Sequence, residues 1–209
     1  MARQLYCLPE FTEVHLSTTD IDDDARSSAI DLLLTRHSVG PKHLSTPGPT
    51  DNELRTVFAA ALRAPDHGKL VPFRFVVIRT DGLARLADLF VDYGKRCGKS
   101  GDDLAQEKSR AMQAPVVLAV VARIHGTDSI PAHEQWMAVG GAIANVLNAL
   151  HVMGFGAKML SGLRAADPII AKAFCRDDEV LAGWISAGTP RARPHARGTD
   201  AIEAIVSEF

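Results

Sequence analysis

Between Arg63 and Phe73 the chain reads Arg63-Ala64-Pro65-Asp66-His67-Gly68-Lys69-Leu70-Val71-Pro72-Phe73. Two prolines, a glycine, two cations, an imidazole and a carboxylate are more polar and conformationally unusual chemistry than a simple connection requires, so this corner is a candidate site. The plainer alternatives are a cation at a helix C-terminus for Arg63, favoured there by roughly 0.3–1 kcal/mol, and a self-hydrogen-bonded turn for Asp66 and His67. A second candidate set is Arg36-His37-Ser38. A phosphate needs cations and hydroxyl donors on a fixed frame, and Arg36 with Ser38 supplies both; the alternative is that Arg36 only caps a helix end.

Other arrangements fail on spacing. Gly98-Lys99-Ser100 lacks the first glycine of a phosphate loop, since Tyr93 stands there, and no apolar strand precedes it. His133-Glu134 starts a zinc-binding H-E-x-x-H that Met137 breaks. Gly154-Phe155-Gly156 leaves a helix instead of opening one, and Met159 occupies the third glycine position of a dinucleotide fingerprint. A hydrolase built on Asp66 and His67 has no activated-serine motif such as G-x-S-x-G.

The elements that must position these residues can be read from caps and periodicity. Ser27 or Ser28 can cap a first helix, whose exit carries Arg36, His37 and Ser38. Thr50-Asp51-Asn52-Glu53 has the form of a capping box, and Leu54, Val57, Phe58, Ala61 and Leu62 follow at helical spacing. Pro65 predicts an end near Arg63, and Pro72 the entry to a strand over 73–78. Helices are predicted over 81–96 and 102–113. Val116 to Val121 reads as a strand buried on both faces. Residues 131–153 form the longest predicted helix, apolar around most of its circumference and so expected to be buried. Its Gly140 and Gly141 make sense if another backbone or a second subunit comes close. A short helix over 167–174 and a strand over 180–187 complete the pattern. Ile202, Ile205 and Val206 recur at helical spacing near the C-terminus.

Composition excludes several classes. The 209 residues favour one domain with a real core. A formal charge of −2 gives no reason to expect nucleic acid or an anionic membrane as partner. Cys7, Cys97 and Cys175 are odd in number and widely spaced, against a disulfide framework or a zinc site and in keeping with a reducing cytosol. No run approaches the roughly 18 apolar residues of a membrane span, and no apolar signal-peptide core is apparent.

Ala64-Pro65-Asp66-His67 followed by Val71-Pro72-Phe73 resembles the A-P-(S/D)-x…Q-P-W segment of the FMN-dependent nitroreductase family. It is most similar to the short single-domain bacterial branch, where the loop reads R-A-P-D-H. Ala29 to Ser38 is similar to the family's opening helix ending in R-R-S. The Gly154-Phe155-Gly156 turn with Ser161-Gly162, and the late strand closing on Gly188-Thr189-Pro190, follow in family order. The resemblance spans roughly Ser28 to Arg193. It implies an α+β fold, a central mixed sheet wrapped by helices, and a domain-exchanged homodimer with FMN at the subunit interface. Residues 1–27 are then an N-terminal extension, either a flexible arm or a segment packed on a second subunit, and 28–209 a single domain.

The resemblance also implies roles. Arg36 and Ser38 would hold the FMN phosphate and pyrimidine side, with His37 in place of the usual second arginine. Arg63, His67 and Lys69 would lie against the ring. Met159-Leu160-Ser161 aligns with a segment along the flavin; relatives carry W-R-S there, so a ring and a cation are missing while the serine remains. A late basic residue, Arg191 or Arg193, would reach the phosphate, unless both belong to a solvated tail with Arg197. The stretch 102–113 corresponds to a variable region that often covers the flavin. NAD(P)H would be the reductant and a nitro compound, quinone or similar small molecule the acceptor, in the cytoplasm. No side chain need act as nucleophile or general base, because the flavin carries the chemistry. The Met159 and Leu160 departures motivate an alternative, a flavin-sequestering protein with little turnover.

Overall fold

The structure is a computed structural model that describes residues 23–126, 129–192 and 202–209, with side chains from Ser28 onward. Its helices are α1 (Asp23–Thr35), α2 (Asp51–Ala61), α3 (Asp81–Arg96), α4 (Gly101–Met112), α5 (Ala132–Val152) and α6 (Pro168–Phe174). Its strands are β1 (Leu44–Ser45), β2 (Phe73–Ile78), β3 (Val116–Ala122), β4 (Gly156–Leu160) and β5 (Val180–Pro190). No described helix is long and apolar enough to cross a membrane.

The strands make one sheet. β3 pairs with β2 and with β5. β4 pairs with the same β5 residues that face β3, so it must line the opposite edge of β5, and β1 pairs with Thr189 and Pro190. The expected arrangement, α+β with helices around a central sheet, is present. The sheet differs from expectation in one respect: every pairing among the described residues is antiparallel, not mixed.

β3 explains how the layers form. Its seven residues are all buried, and strand alternation sends them to two cores. Val116, Leu118, Val120 and Ala122 meet Leu54, Val57 and Ala61 of α2 and Val139, Val146 and Leu150 of α5. Val117, Ala119 and Val121 meet Leu83, Leu86 and Phe90 of α3, with Trp184 of β5. The sheet is therefore a partition, with α2 and α5 on one face and α3 and α4 on the other.

The Thr50–Glu53 capping box forms in full: Glu53 N–H donates to the Thr50 hydroxyl at 3.3 Å and Thr50 N–H donates to the Glu53 carboxylate at 2.7 Å. Three local expectations need correction. α1 begins at Asp23, ahead of Ser27 and Ser28, so neither serine caps it. β5 continues past Ala187 to Pro190 because β1, too short to be legible, pairs there. α5 is not buried all round: Trp136, Met137 and Val152 are 40, 70 and 52 % exposed. One side of α5 packs on the sheet, and the other finds no cover within the described residues of a single chain. Gly141 does receive a close backbone, that of Ala64, whereas a side chain at Gly140 would meet open space.

Candidate functional site

Two ends of α5 organise the candidate residues. At its C-terminal end, the exit of α1 docks on His151. The Thr35 hydroxyl lies 3.2 Å from His151 Nε2, and the His37 and His151 rings meet edge-on with centroids 6.0 Å apart. Burial lowers the His151 pKa, and the neighbouring His37 and Arg36 lower it further. His37 Nδ1 is 2.9 Å from the Thr35 carbonyl, while its Nε2 is buried with no partner among the described residues. Arg36 is half-buried, Ser38 is exposed, and neither side chain bonds to another described residue. His151 escaped the sequence reading; a basic residue in the last turn of the longest helix was its only signal.

Val39 ties this exit to β4, its N–H donating to the Ala157 carbonyl at 3.0 Å. Gly156 permits the approach, since a Cβ there would lie 2.8–3.1 Å from Leu44 and Val39. His37 and Val39 share a hollow with His151, Gly154, Phe155 and Gly156, so this exit sits at the start of β4, whose other end carries Met159 and Leu160, both half-buried, before the exposed Ser161. Arg191 joins the same neighbourhood, but its guanidinium Nε is used on the Leu44 carbonyl at 3.1 Å. Arg193 and Arg197 lie outside the described residues.

The second group sits toward the other end of α5. The Asp66 carboxylate accepts from Val71 N–H at 2.7 Å and closes the corner on itself, which is the plain reading of Asp66. His67 instead donates from Nδ1 to Glu134, in the first turn of α5, at 2.8 Å. Gly68, Lys69 and Val71 have φ of 75°, 53° and 47°. Gly68 adopts this freely, but for a β-branched valine it stores of order 1–3 kcal/mol. Arg63 and Lys69 are exposed, with no side-chain partner among the described residues.

One chain does not unite the two groups. Glu134 and His151 are seventeen residues apart on α5, a rise of about 26 Å at 1.5 Å per residue. Arg63 is nearer, since Ala64 packs at Gly141, yet that contact is still about 15 Å along the axis from His151.

A third cluster went unforeseen. Glu107 of α4 is fully buried and receives Arg164 twice, Nε at 2.7 Å and Nη2 at 2.6 Å, with Lys99 and Arg110 each at 2.5 Å. Burial by itself would raise the carboxyl pKa, but the bonds from Arg164 and Lys99 and the charges of Arg164 and Arg110 hold it down to about 2. Glu107 and Arg164 are 57 positions apart, and no spacing rule connects them.

Set beside known proteins, residues 33–189 match the model of the Nitroreductase family. The chain belongs to the nitroreductase family. The Escherichia coli (strain K12) protein named "Putative NAD(P)H nitroreductase YdjA" is 32% identical over 168 residues, covering 79% of this chain and 90% of that one. A Haemophilus influenzae protein named "Putative NAD(P)H nitroreductase" is 33% identical over 163 residues, 77% of this chain and 88% of its own. Among solved structures, a nitroreductase-like family protein from Bacillus cereus superposes with a TM-score of 0.74 at 15% identity, over 87% of this chain and 95% of that chain. A Desulfovibrio desulfuricans nitroreductase-type protein, described in complex with FMN, gives 0.67 at 21% identity, over 87% and 96%. These likenesses establish a nitroreductase-like fold.

Proposed function

We propose that this nitroreductase-family oxidoreductase binds FMN and passes hydride from NAD(P)H through the flavin to a nitro compound, a quinone or a similar acceptor. The observation that carries the reading is the junction at Val39 and Ala157. It sets an unpartnered arginine and serine and an orphaned, buried imidazole nitrogen at the start of β4, the strand that ends beside Ser161. That donor set fits a phosphate with an adjoining ring. NAD(P)H stands in the names of the two relatives, and FMN in the description of the Desulfovibrio structure.

Bound flavin supplies the hydride chemistry. Arg36 and Ser38 hold its anionic tail, with Arg193 as a further candidate. Arg63, His67 and Lys69 lie against the ring, where cations and N–H donors offset negative charge. Because the two groups are separated along α5, the ring-facing corner comes from a second copy of the chain, and the site lies at a homodimer interface. The uncovered face of α5, with Trp136 and Met137, and the exposed Ile30, Leu33 and Leu34 of α1 give that interface apolar area. The apolar residues of 202–209 are exposed too and would exchange onto the partner. The protein acts in the cytoplasm on small molecules.

The test is direct. The purified protein should be yellow, with flavin absorbance bleached by NAD(P)H and turnover of a nitroaromatic; a colourless protein that refuses added FMN overturns the reading. Bound FMN with negligible NAD(P)H oxidation would instead favour flavin sequestration. Co-expressing Arg36→Ala chains with Lys69→Ala chains should restore one full-affinity site per mixed dimer. Sites equally weak in the mixed dimer would refute the two-chain arrangement.

A further inference from the structure

A buried amide sits near the start of α5. Gln135 is 1 % exposed, whereas Glu134 beside it is half-buried and takes His67. The Gln135 side-chain oxygen accepts from His125 N–H at 2.7 Å. Its nitrogen donates to the His125 carbonyl at 2.8 Å and to the Ile130 carbonyl at 3.0 Å. Both N–H donors and the oxygen are engaged, and turning the amide over would set its oxygen against two carbonyls. Without this side chain, backbone groups of both His125 and Ile130 lose a partner, which costs free energy where water is excluded.

Ile130 joins this amide to the Arg63–Phe73 corner. Its side chain is buried, and a Cβ placed on Gly68 would lie 2.4 Å from Ile130 Cδ1. Gly68, Lys69 and Val71 hold positive φ, and a backbone of that kind persists only where its surroundings over-determine it. Glu134 bears on the corner through the His67 side chain. Gln135 bears on it through Ile130, at the backbone of Gly68. Two adjacent residues of α5 thus act on two adjacent residues of the corner.

We propose that Gln135 is a positioning residue of the flavin site: by fixing Ile130 it sets the shape of the backbone from Gly68 to Val71, and hence how that corner meets the ring. This role rests on the corner facing a flavin. It gives Gln135 no contact with flavin, NAD(P)H or acceptor. Ile130→Val isolates the route, because it deletes Cδ1, the atom that a Gly68 Cβ would meet first, and leaves the Ile130 carbonyl to Gln135.

The test uses the full chain loaded with FMN. It reads the visible circular dichroism of the bound ring, the single-turnover reduction of that ring by NAD(P)H, and urea unfolding. Gln135→Met keeps the side-chain length and removes the hydrogen bonds. It should change the dichroism and slow reduction about tenfold, the scale of a small misplacement at a reacting centre. Ile130→Val should move both readouts the same way by less. Adding it to Gln135→Met should change little further, because residues on one route are not additive. Thr50→Ala, which removes the α2 cap at the end of that helix away from the corner, should lower stability and leave the ring signature alone. A Gln135→Met chain that loses stability alone, as Thr50→Ala does, or full additivity in the double variant, would overturn the proposal and leave the flavin reading intact. Should Gln135→Met fail to fold, an unchanged ring signature in Ile130→Val overturns it. A wild-type chain that binds no FMN would overturn both, and shows itself before any variant is made.

Discussion

Two charged regions of this molecule solve opposite problems. Around Glu107, three cations converge on one fully buried carboxylate, and its oxygens are saturated with hydrogen bonds. Around His67, the cations are exposed, Lys69 and Val71 hold positive φ, and the Arg63 and Lys69 side chains make no hydrogen bond or ion pair with a described residue. The first arrangement joins α4 to the Ser161–Asp167 stretch and keeps α4 on α3. The second has, among described side-chain hydrogen bonds, one from an amide to the Asp66 carboxylate and one from the His67 imidazole to Glu134. A saturated cluster has little left to offer a ligand, whereas a strained corner with spare donors does.

The sharpest way to break this contrast is Glu107→Gln. Removing the carboxylate leaves three cations facing one another, and breaking a buried ion pair from one side costs about 3–5 kcal/mol. Urea unfolding should show that loss, while flavin per folded chain stays constant. The pH dependence follows from the same group. Its folded-state pKa, about 2, lies below the unfolded value of 4.5. The stabilisation is therefore complete above pH 4.5 and is lost as pH falls toward 2. The wild type should lose stability through that window more steeply than the glutamine variant. Parallel acid profiles would mean the cluster is not structural.

Arg36→Ala should reverse the pattern. A charge-assisted bond to phosphate contributes about 1.5–3 kcal/mol, so flavin affinity should fall about ten- to a hundredfold, measured by absorbance titration. Arg36 bonds to no described side chain, so unfolding should shift by less than about 0.5 kcal/mol. A large stability loss with unchanged flavin affinity would return Arg36 to the role of a helix cap.

The difference between the two regions also marks how far the sequence could be read. The Arg63–Phe73 corner, the capping box at Thr50 and the two-faced burial of β3 were legible because each is local. A proline, a cap or an alternation acts within a few residues. The Glu107 cluster and the His37–His151 contact were not, because each joins positions that only the completed fold brings together. α5 was misjudged for a related reason. Its apolar residues cover most of the circumference and predicted burial, yet Trp136, Met137 and Val152 stay exposed, because periodicity reports an apolar surface and not what lies against it. Likewise, the family pattern lists Arg36 and Lys69 together without saying that α5 separates them.

Val71→Gly probes the strain. The valine at φ 47° stores of order 1–3 kcal/mol, and glycine relieves it while paying roughly 0.5–1 kcal/mol in backbone entropy. A net gain of about 1 kcal/mol in stability should appear in urea titrations, together with weaker flavin binding as the corner loses its shape. If stability falls instead, the backbone there is not strained and the corner is an ordinary turn.

The smallest effect on stability should come from the His67–Glu134 pair, and its value lies in sign. The side chains are 65 and 36 % exposed, so the pair contributes less than about 1 kcal/mol to folding. Its consequence must then show in binding. Glu134 is a carboxylate beside a corner proposed to face an anionic ring, and His67 occupies it. His67→Ala should release that carboxylate and weaken flavin affinity several-fold. Glu134→Gln should remove the repulsion and leave affinity equal or higher. A merely structural pair would behave otherwise: both variants would loosen the corner and shift affinity in the same direction. Opposite shifts, read by absorbance titration at one ionic strength, are what a ligand-facing corner requires.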